Sequence, residues 1–582
     1  MDLIRYPDFL MFCVISGVDR DTRSGTGGNP DLVLRNYPRD GFNFSDVLIH
    51  LHKLTNSLKF TFIRPGFCGT YIVFAAKCGK LEVMQRKHIG FFLGVVVFLG
   101  VFLFTDLEPG NPKVTSTLAV ALLMAIWWIS ETIPLAVTAL VPLVLFPALG
   151  ILDGKEVSET YINHIIFIFI GGFIMALAME KWNLHRRIAL KLLVMIGVGP
   201  GKILLGFMIA TAFLSMWISN TATAMMMIPI VMSVVGSLED SLSGNSISRY
   251  ATGLFLAIAY SASVGGMATL VGSPTNLVCP RILTLLYPGA PDITFAGWLE
   301  FALPISLIML VVVWVIIYFR FRPKEKWDYM DKEHFRKAYR DLGKTSYEER
   351  TVFILFIILA LLWITRTGIS FSSFTIPGWS HLFSVPEYIN DGTVAMFISV
   401  ILFIVPARRE KGARIMDWKT AQKLPWNIVL LFGGGFALAL GFQSSGLSVW
   451  FGKQLLWTEG IHPYFILLAV VTLMSFLTEL TSNVASTQML LPVFASLAIS
   501  SGNNPMMLMV PATIASSLAF MLPTATPPNA IIFGTDRIRI RTMVRTGFVF
   551  NMIGILVVVL ITWLLGHSSL DLDIGVIPDW AK

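Results

Sequence analysis

Ser219-Asn220-Thr221-Ala222, followed by Pro229, and Ser482-Asn483-Val484-Ala485, followed by Pro492, are one phrase written twice inside apolar sequence. The copies stand 263 residues apart, and the same offset carries Gly172-Phe173 onto Gly435-Phe436. Each is followed by a second polar interruption, Gly272-Ser273-Pro274-Thr275-Asn276 in the first half and Ala525-Thr526-Pro527-Pro528-Asn529 in the second. Lipid offers no hydrogen bond to Ser, Asn or a broken helix, so such groups persist only where they line a protected cavity. Paired, related half-sites at mid-membrane are how many secondary transporters assemble a substrate site.

Composition agrees. The chain has 582 residues, of which 55% are hydrophobic and only 14% charged, and its mean hydropathy is +0.71. A soluble domain carries nearer ~25% charge. The long apolar runs lack period-two alternation, which makes the chain an all-α multi-pass membrane protein rather than an outer-membrane barrel. Its net charge of +8 is spread over loops, so it reads as a topology signal and not as a nucleic-acid footprint. Cys13, Cys68, Cys78 and Cys279 show neither metal-ligand spacing nor a disulfide framework. Gly201-Lys202 lacks the preceding glycine and following Ser/Thr of a P-loop. The chain therefore reads as a transporter and not an enzyme, driven by an ion gradient or by exchange.

Residues 1–83 contain no segment long enough to span and no signal-peptide pattern, and are expected to form a disordered extension. Spans are expected at 89–105, 115–130, 133–149, 162–180 and 299–320, with an amphipathic stretch at 182–197 and a broken segment at 250–284. The second half gives 351–366, 392–407, 426–444, a broken 508–534 and 546–566. Blocks 203–235 and 462–500 hold the Ser-Asn phrases at their centres. At ~20 residues per crossing, each is two spans or one re-entrant hairpin. A polar tip with almost no loop favours the hairpin.

Basic residues cluster at 181–191, 320–350, 408–423 and 537–545, while 106–114, 285–298 and 367–390 are poor in them. If the first hairpin enters from inside and the second from outside, every basic cluster falls on one side, which the positive-inside rule makes cytoplasmic. About 11 transmembrane helices plus two re-entrant hairpins result, with the N-terminus cytoplasmic and the tail 571–582 extracellular. Residues 84–320 and 351–570 form the two members of an inverted repeat, joined by a cytoplasmic linker at 321–350. The location is a bacterial inner membrane or a eukaryotic plasma membrane.

Carbonyl ends of broken helices suit a cation and amide ends an anion. Ser, Thr and Asn oxygens and Gly carbonyls are the hard donors Na⁺ takes. Gly171-Gly172 and Gly433-Gly434-Gly435 read as close-packing positions. Glu479 has Met216 as its counterpart in the first half, and reads as a structural partner near the second tip.

The stretches Trp217–Ala224 with Ile228-Pro229, and Glu479–Thr487 with Leu491-Pro492, resemble the divalent anion/sodium symporter family, which includes sodium–dicarboxylate, sodium–citrate and sodium–sulfate cotransporters. The resemblance spans roughly residues 84–570 and implies a homodimer that works as an elevator. It implies a first sodium site at Ser215, Ser219, Asn220 and Gly272, and a second at Thr478, Thr481, Asn483 and Ala525. It places the substrate against Asn220, Thr221, Ser273, Asn483 and Thr526, with Pro527 shaping the floor. Val484 stands where many bacterial members carry Thr, as in the animal dicarboxylate and citrate carriers. The expected function is sodium-coupled import of succinate, malate, fumarate or citrate. A sodium–sulfate symporter, a sodium-independent dicarboxylate exchanger and an anion channel are the alternatives.

Overall fold

The computed structural model describes residues 87–582 apart from 198, 242–244, 324–332, 371–374, 410–411, 571 and 573–574. These residues belong to one compact unit, Leu81–Lys582. The expectation for residues 1–83 lies outside the described residues.

Apolar runs become helices because a backbone in hydrocarbon must satisfy its hydrogen bonds within its own segment. The first half runs α1 (Lys87–Phe104), α2 (Pro112–Ser130), α3 (Leu135–Thr138), α4 (Val141–Ala148), α5 (Gly154–Glu159) and α6 (His164–Lys181). It continues through α7 (Leu184–Ile196), α8 (Pro200–Ser215), α9 (Asn220–Ser241), α10 (Asn245–Gly266), α11 (Pro274–Leu286) and α12 (Phe295–Phe321). A short α13 (Glu333–Asp341) precedes α14 (Tyr347–Ile364), the hairpin β1 (Gly368–Ser370) and β2 (Thr375–Pro377), and α15 (Asp391–Ile404). Then come α16 (Trp418–Ala421), α17 (Trp426–Ser445), α18 (Leu447–Gln454), α19 (Pro463–Leu477), α20 (Asn483–Ser500), α21 (Pro505–Ala515), α22 (Pro527–Phe533) and α23 (Ile540–Leu570).

Among the described residues, eight helical stretches are long and apolar enough to cross a membrane. The expected single span at 133–149 is two short helices instead. Pro134 precedes the first, and Pro142 and Pro147 lie in the second, where each removes a backbone donor.

The expected breaks are present. The first block is α8 and α9 with Met216–Ser219 between them, and the second is α19 and α20 with Thr478–Ser482 between them. The 250–284 segment breaks between Gly266 and Pro274, and the 508–534 segment between Ala515 and Pro527.

Glycines let the framework helices approach. A Cβ on Gly171 would overlap Ala395, and one on Gly434 would overlap the backbone of Ala139. Gly433 and Gly435 are covered in the same way by Tyr161 and Gln488, so the close-packing reading of both glycine runs holds.

The basic segments are tied together. Lys181 pairs with Asp417 at 2.6 Å, and Trp182 donates to the Ile415 carbonyl at 2.8 Å. The hydrogen bond from Lys181 holds the Asp417 carboxyl down at about 2. Arg187 binds Glu349 and the carbonyls of Leu342 and Gly343, and the Glu348 carboxylate accepts from the backbone of Arg408 and Arg409. Arg537 pairs with Glu239. Away from these, Asp391 accepts from Arg366 and from the Phe295 amide, joining the ends of α14, α15 and α12.

Candidate functional site

In the first half, helix ends converge on the tip. Helices α8 and α10 finish at Ser215 and Gly266, while α9 and α11 begin at Asn220 and Pro274. A Cβ on Gly272 would lie 2.6 Å from the Gly266 carbonyl oxygen and 3.0 Å from that of Ser215, so two C-terminal carbonyls meet beside Gly272. Ser215 Oγ is 2.8 Å from the Ala262 carbonyl and 2.6 Å from the Asn220 amide.

The Asn220 side chain decides what this cluster can hold. With Oδ1 turned inward it would face the Ala262 and Gly272 carbonyls, which repel it, and Ser215 Oγ, which donates to it at 2.6 Å. With Nδ2 inward its two N–H groups lie among the three, at 3.1, 3.3 and 2.6 Å. One rotation of an amide therefore converts a hydrogen-bonded cluster into an all-oxygen cage. That donor set fits a hard cation of the sodium type. Ser219 caps α9, accepting from the Ala222 amide at 3.3 Å, and Thr221 sits half-buried in the first turn of that helix.

The adjoining loop is anchored from within. Asn276 donates to the carbonyls of Gly266 and Thr269 at 2.9 and 2.7 Å, and Thr269 Oγ1 donates to Met216 in the tip. Ser273 is buried, with its hydroxyl 2.8 Å from that of Thr275.

The second half repeats this plan with altered parts. Helix α20 begins at Asn483 and α22 at Pro527. Asn529 donates to the carbonyls of Ala519 and Leu522 at 3.0 and 3.1 Å. Thr478 Oγ1 and Asn483 Oδ1 are buried without a hydrogen-bond partner, so each keeps its acceptor capacity. Thr481 turns its hydroxyl back to the Leu477 carbonyl at 3.0 Å and toward Ser486, which leaves its backbone carbonyl as the group it could offer an ion. Ala525 and Thr526 are buried beside Leu522, Thr526 Oγ1 accepts from the Asn529 amide at 3.4 Å, and Pro527 is exposed.

Glu479 joins the second tip to its loop. Its carboxylate accepts from the amides of Met521 and Leu522 at 2.8 and 3.0 Å, and from Asn551 Nδ2 at 2.7 Å. The first half makes the same joint with the hydroxyl of Thr269 on a backbone carbonyl. Val484, against Thr221, offers only methyl groups.

The structure thus gathers Ser215, Asn220 and Gly272 into one cluster and joins the Thr478–Ser482 tip to the loop that leads into Ala525 and Thr526. Sequence reading missed the Ala262 carbonyl, Gly266 and Asn551. Backbone ligands leave no side-chain signature, and Asn551 lies 72 residues from the carboxylate it serves.

Residues 85–568 match the family model described as sodium:sulfate symporter transmembrane region. The chain is 43% identical over 494 residues to the sodium-dependent dicarboxylate transporter SdcS of Staphylococcus saprophyticus, covering 84% of this chain and 92% of that protein. It is 40% identical over 512 residues to SdcS of Staphylococcus aureus, covering 87% and 96%. Among solved structures, the YdaH transporter of Alcanivorax borkumensis aligns with a TM-score of 0.52 at 14% identity, over 78% of this chain and 99% of that one, a likeness of fold. With the duplicated tips, the broken helices and a match along nearly all of its membrane portion, the chain belongs to the sodium:sulfate symporter transmembrane family.

Proposed function

We propose that the chain is a sodium-coupled importer of di- or tricarboxylates such as succinate, malate, fumarate or citrate, working as a homodimer by an elevator movement. The observation that carries this is the pair of tip asparagines. The Asn220 side chain stands among the oxygens of Ser215, Ala262 and Gly272, and Asn483 Oδ1 is buried without a donor. The named function of the SdcS relatives, sodium-dependent dicarboxylate transport, supports the same reading.

The chemistry follows from what the site lacks. Segments 215–223, 269–276, 478–486 and 522–529 contain no Lys, Arg or His. A dianion bound there meets neutral amides, hydroxyls and helix N-termini, and its charge is uncompensated by the protein. Burying an uncompensated charge costs several kcal/mol at least. Sodium ions at the two tips supply the missing positive charge, so substrate binds well only after sodium. Carboxylate oxygens then accept from Asn220, Thr221 and Ser273 on one side and from Asn483 and Thr526 on the other, over a floor shaped by Pro527. Coupling is the consequence of having neutral donors for the anion and hard oxygens for the cation in one place.

The matching joints at Asn276 and Asn529 support an inverted repeat with re-entrant hairpins at 203–235 and 462–500. The hydrogen bonds that tie basic segments 181–191, 342–349 and 408–417 support placing them on one side, the cytoplasmic one, with the N-terminus. Proteoliposome uptake of labelled succinate, citrate and sulfate, with a sodium or a choline gradient, tests the proposal. Sodium-driven accumulation of succinate or citrate is expected. Accumulation of sulfate alone would make the sulfate symporter the better reading, and uptake indifferent to sodium would reject coupling.

A further inference from the structure

The basic side of the protein contains a cavity that transport of a small anion leaves unused. Its volume is about 370 Å³, within the range of small-molecule sites. It lies between α7, α9 and α13, and the packing of α13 creates it. Phe335, Ala338, Tyr339 and Leu342 fall at i, i+3, i+4 and i+7, which makes an apolar stripe on a helix whose other face carries Arg336, Lys337 and Arg340. That stripe docks through Phe335 edge-on against Phe207 of α8, with ring centroids 6.2 Å apart, and through Tyr339 beneath the Arg187 guanidinium. The docked stripe leaves a gap against the middle of α9, where Pro229 lies within the helix.

The lining has two characters. Leu190, Ile230 and Phe335 form an apolar wall, and Arg186 and Ser233 contribute a cation and a hydroxyl. Arg186 is exposed and has no carboxylate partner among the described residues, whereas its neighbour Arg187 is locked to Glu349. Lys191 and Lys337 lie on α7 and α13, two of the helices that bound the cavity. On α9, Met225 and Met232 are exposed, at 59% and 40%, as befits a helix that meets hydrocarbon. An occupant must therefore be anionic at one end and apolar along its length. Basic pockets between membrane helices on the cytoplasmic side are suited to acidic lipid headgroups.

We propose that the cavity between α7, α9 and α13 binds an anionic phospholipid, with its headgroup on Arg186 and Ser233 and an acyl chain along Leu190, Ile230 and Phe335. The occupant also touches the helix that begins at Asn220. If the protein works as an elevator, the reading on which this step rests, a lipid bridging α9 to α7 and α13 restrains the tip and slows uptake.

Binding is measured first, on the purified full-length chain without sodium or substrate, so that its failure is separate from any failure of the transport reading. Dioleoylphosphatidylglycerol is titrated against dioleoylphosphatidylcholine and oleate by native mass spectrometry. Phosphatidylglycerol is expected to bind in preference to phosphatidylcholine. Arg186→Gln should weaken it by about tenfold, the worth of one hydrogen bond to a charged group. Arg186→Lys should keep most of the affinity, and Ala338→Trp, which fills the gap, should abolish it. Equal binding of both phospholipids, binding of oleate alone, or phosphatidylglycerol affinity unchanged in Arg186→Gln and Ala338→Trp would each overturn the site. In proteoliposomes, phosphatidylglycerol should slow sodium-driven succinate uptake by the native chain and leave Arg186→Gln unaffected. Equal slowing of both would overturn the restraining role.

Discussion

Asn276 and Asn529 make the same joint in the two halves. Each amide nitrogen donates to the carbonyls ten and seven residues upstream, Gly266 and Thr269 in one case and Ala519 and Leu522 in the other. A Pro-broken loop has lost its own backbone donors, and these amides replace them. The joint fixes the loop's curvature, and with it the position of Gly272 or Ala525. Asn276→Ala and Asn529→Ala each remove at least two hydrogen bonds and strand buried carbonyls, at about 1–3 kcal/mol per unsatisfied group. Both variants should melt at lower temperature in detergent and need several-fold more sodium for half-maximal uptake. Unchanged melting and sodium dependence would show that the loops hold their shape without them.

The first cage depends on two missing side chains. A Cβ on Gly266 would overlap the Asn220 amide, and one on Gly272 would stand 2.6 Å from the Gly266 carbonyl. Overpacking of this kind costs about 1–3 kcal/mol, and here it falls on the proposed ligand positions. Gly266→Ala and Gly272→Ala should therefore fold yet lose at least tenfold in sodium-driven uptake. Ala525→Gly, at the matching place in the second half, should be far milder. Full uptake by both alanine variants would remove the first cage from the account.

Arg187 and Glu349 are an ion pair in a poorly hydrated place, with side-chain exposures of 8% and 9% and a separation of 3.0 Å. Removing one partner of a buried pair costs about 3–5 kcal/mol, because the other charge is left alone. Arg187→Met or Glu349→Met should thus destabilise strongly in thermal unfolding. The double variant should recover much of the loss. Three variants of equal stability to the native chain would show that the pair is solvated and idle.

Val484 tests the substrate. Thr221 at the matching position of the first tip carries a hydroxyl, and a net hydrogen bond is worth roughly 0.5–1.5 kcal/mol. Val484→Thr changes shape little and adds that donor. The ratio of succinate to citrate affinity in competition uptake should move a few-fold, and sulfate, being compact, should respond less. A strong change confined to sulfate would favour the sulfate reading.

Much of this was legible in the sequence because polar groups in apolar sequence are conspicuous. The breaks at Ser219-Asn220, Ser482-Asn483 and the two Pro loops all lie where the residues indicate. The 133–149 segment misled, since its hydropathy is that of a span while its backbone turns at Ala139-Leu140, just before Pro142. The Ala262 carbonyl was invisible for a different reason: any residue can offer a backbone oxygen, so only the fold assigns it. Glu479 was readable as a charge near a tip, but its work needed the amides of Met521 and Leu522, which no local pattern announces.

On the proposed mechanism, sodium binds at the two tip asparagines before substrate does. A ligand that binds only the folded state raises its stability by an amount set by concentration over Kd, about 2.7 kcal/mol at a hundredfold excess. The thermal transition of the purified chain, without substrate, is compared in sodium chloride and in choline chloride at equal ionic strength. Sodium should raise the transition of the native chain, Asn220→Ala and Asn483→Ala should each show a smaller rise, and the double variant none. A rise of the same size in the double variant, or none in the native chain, would contradict the account.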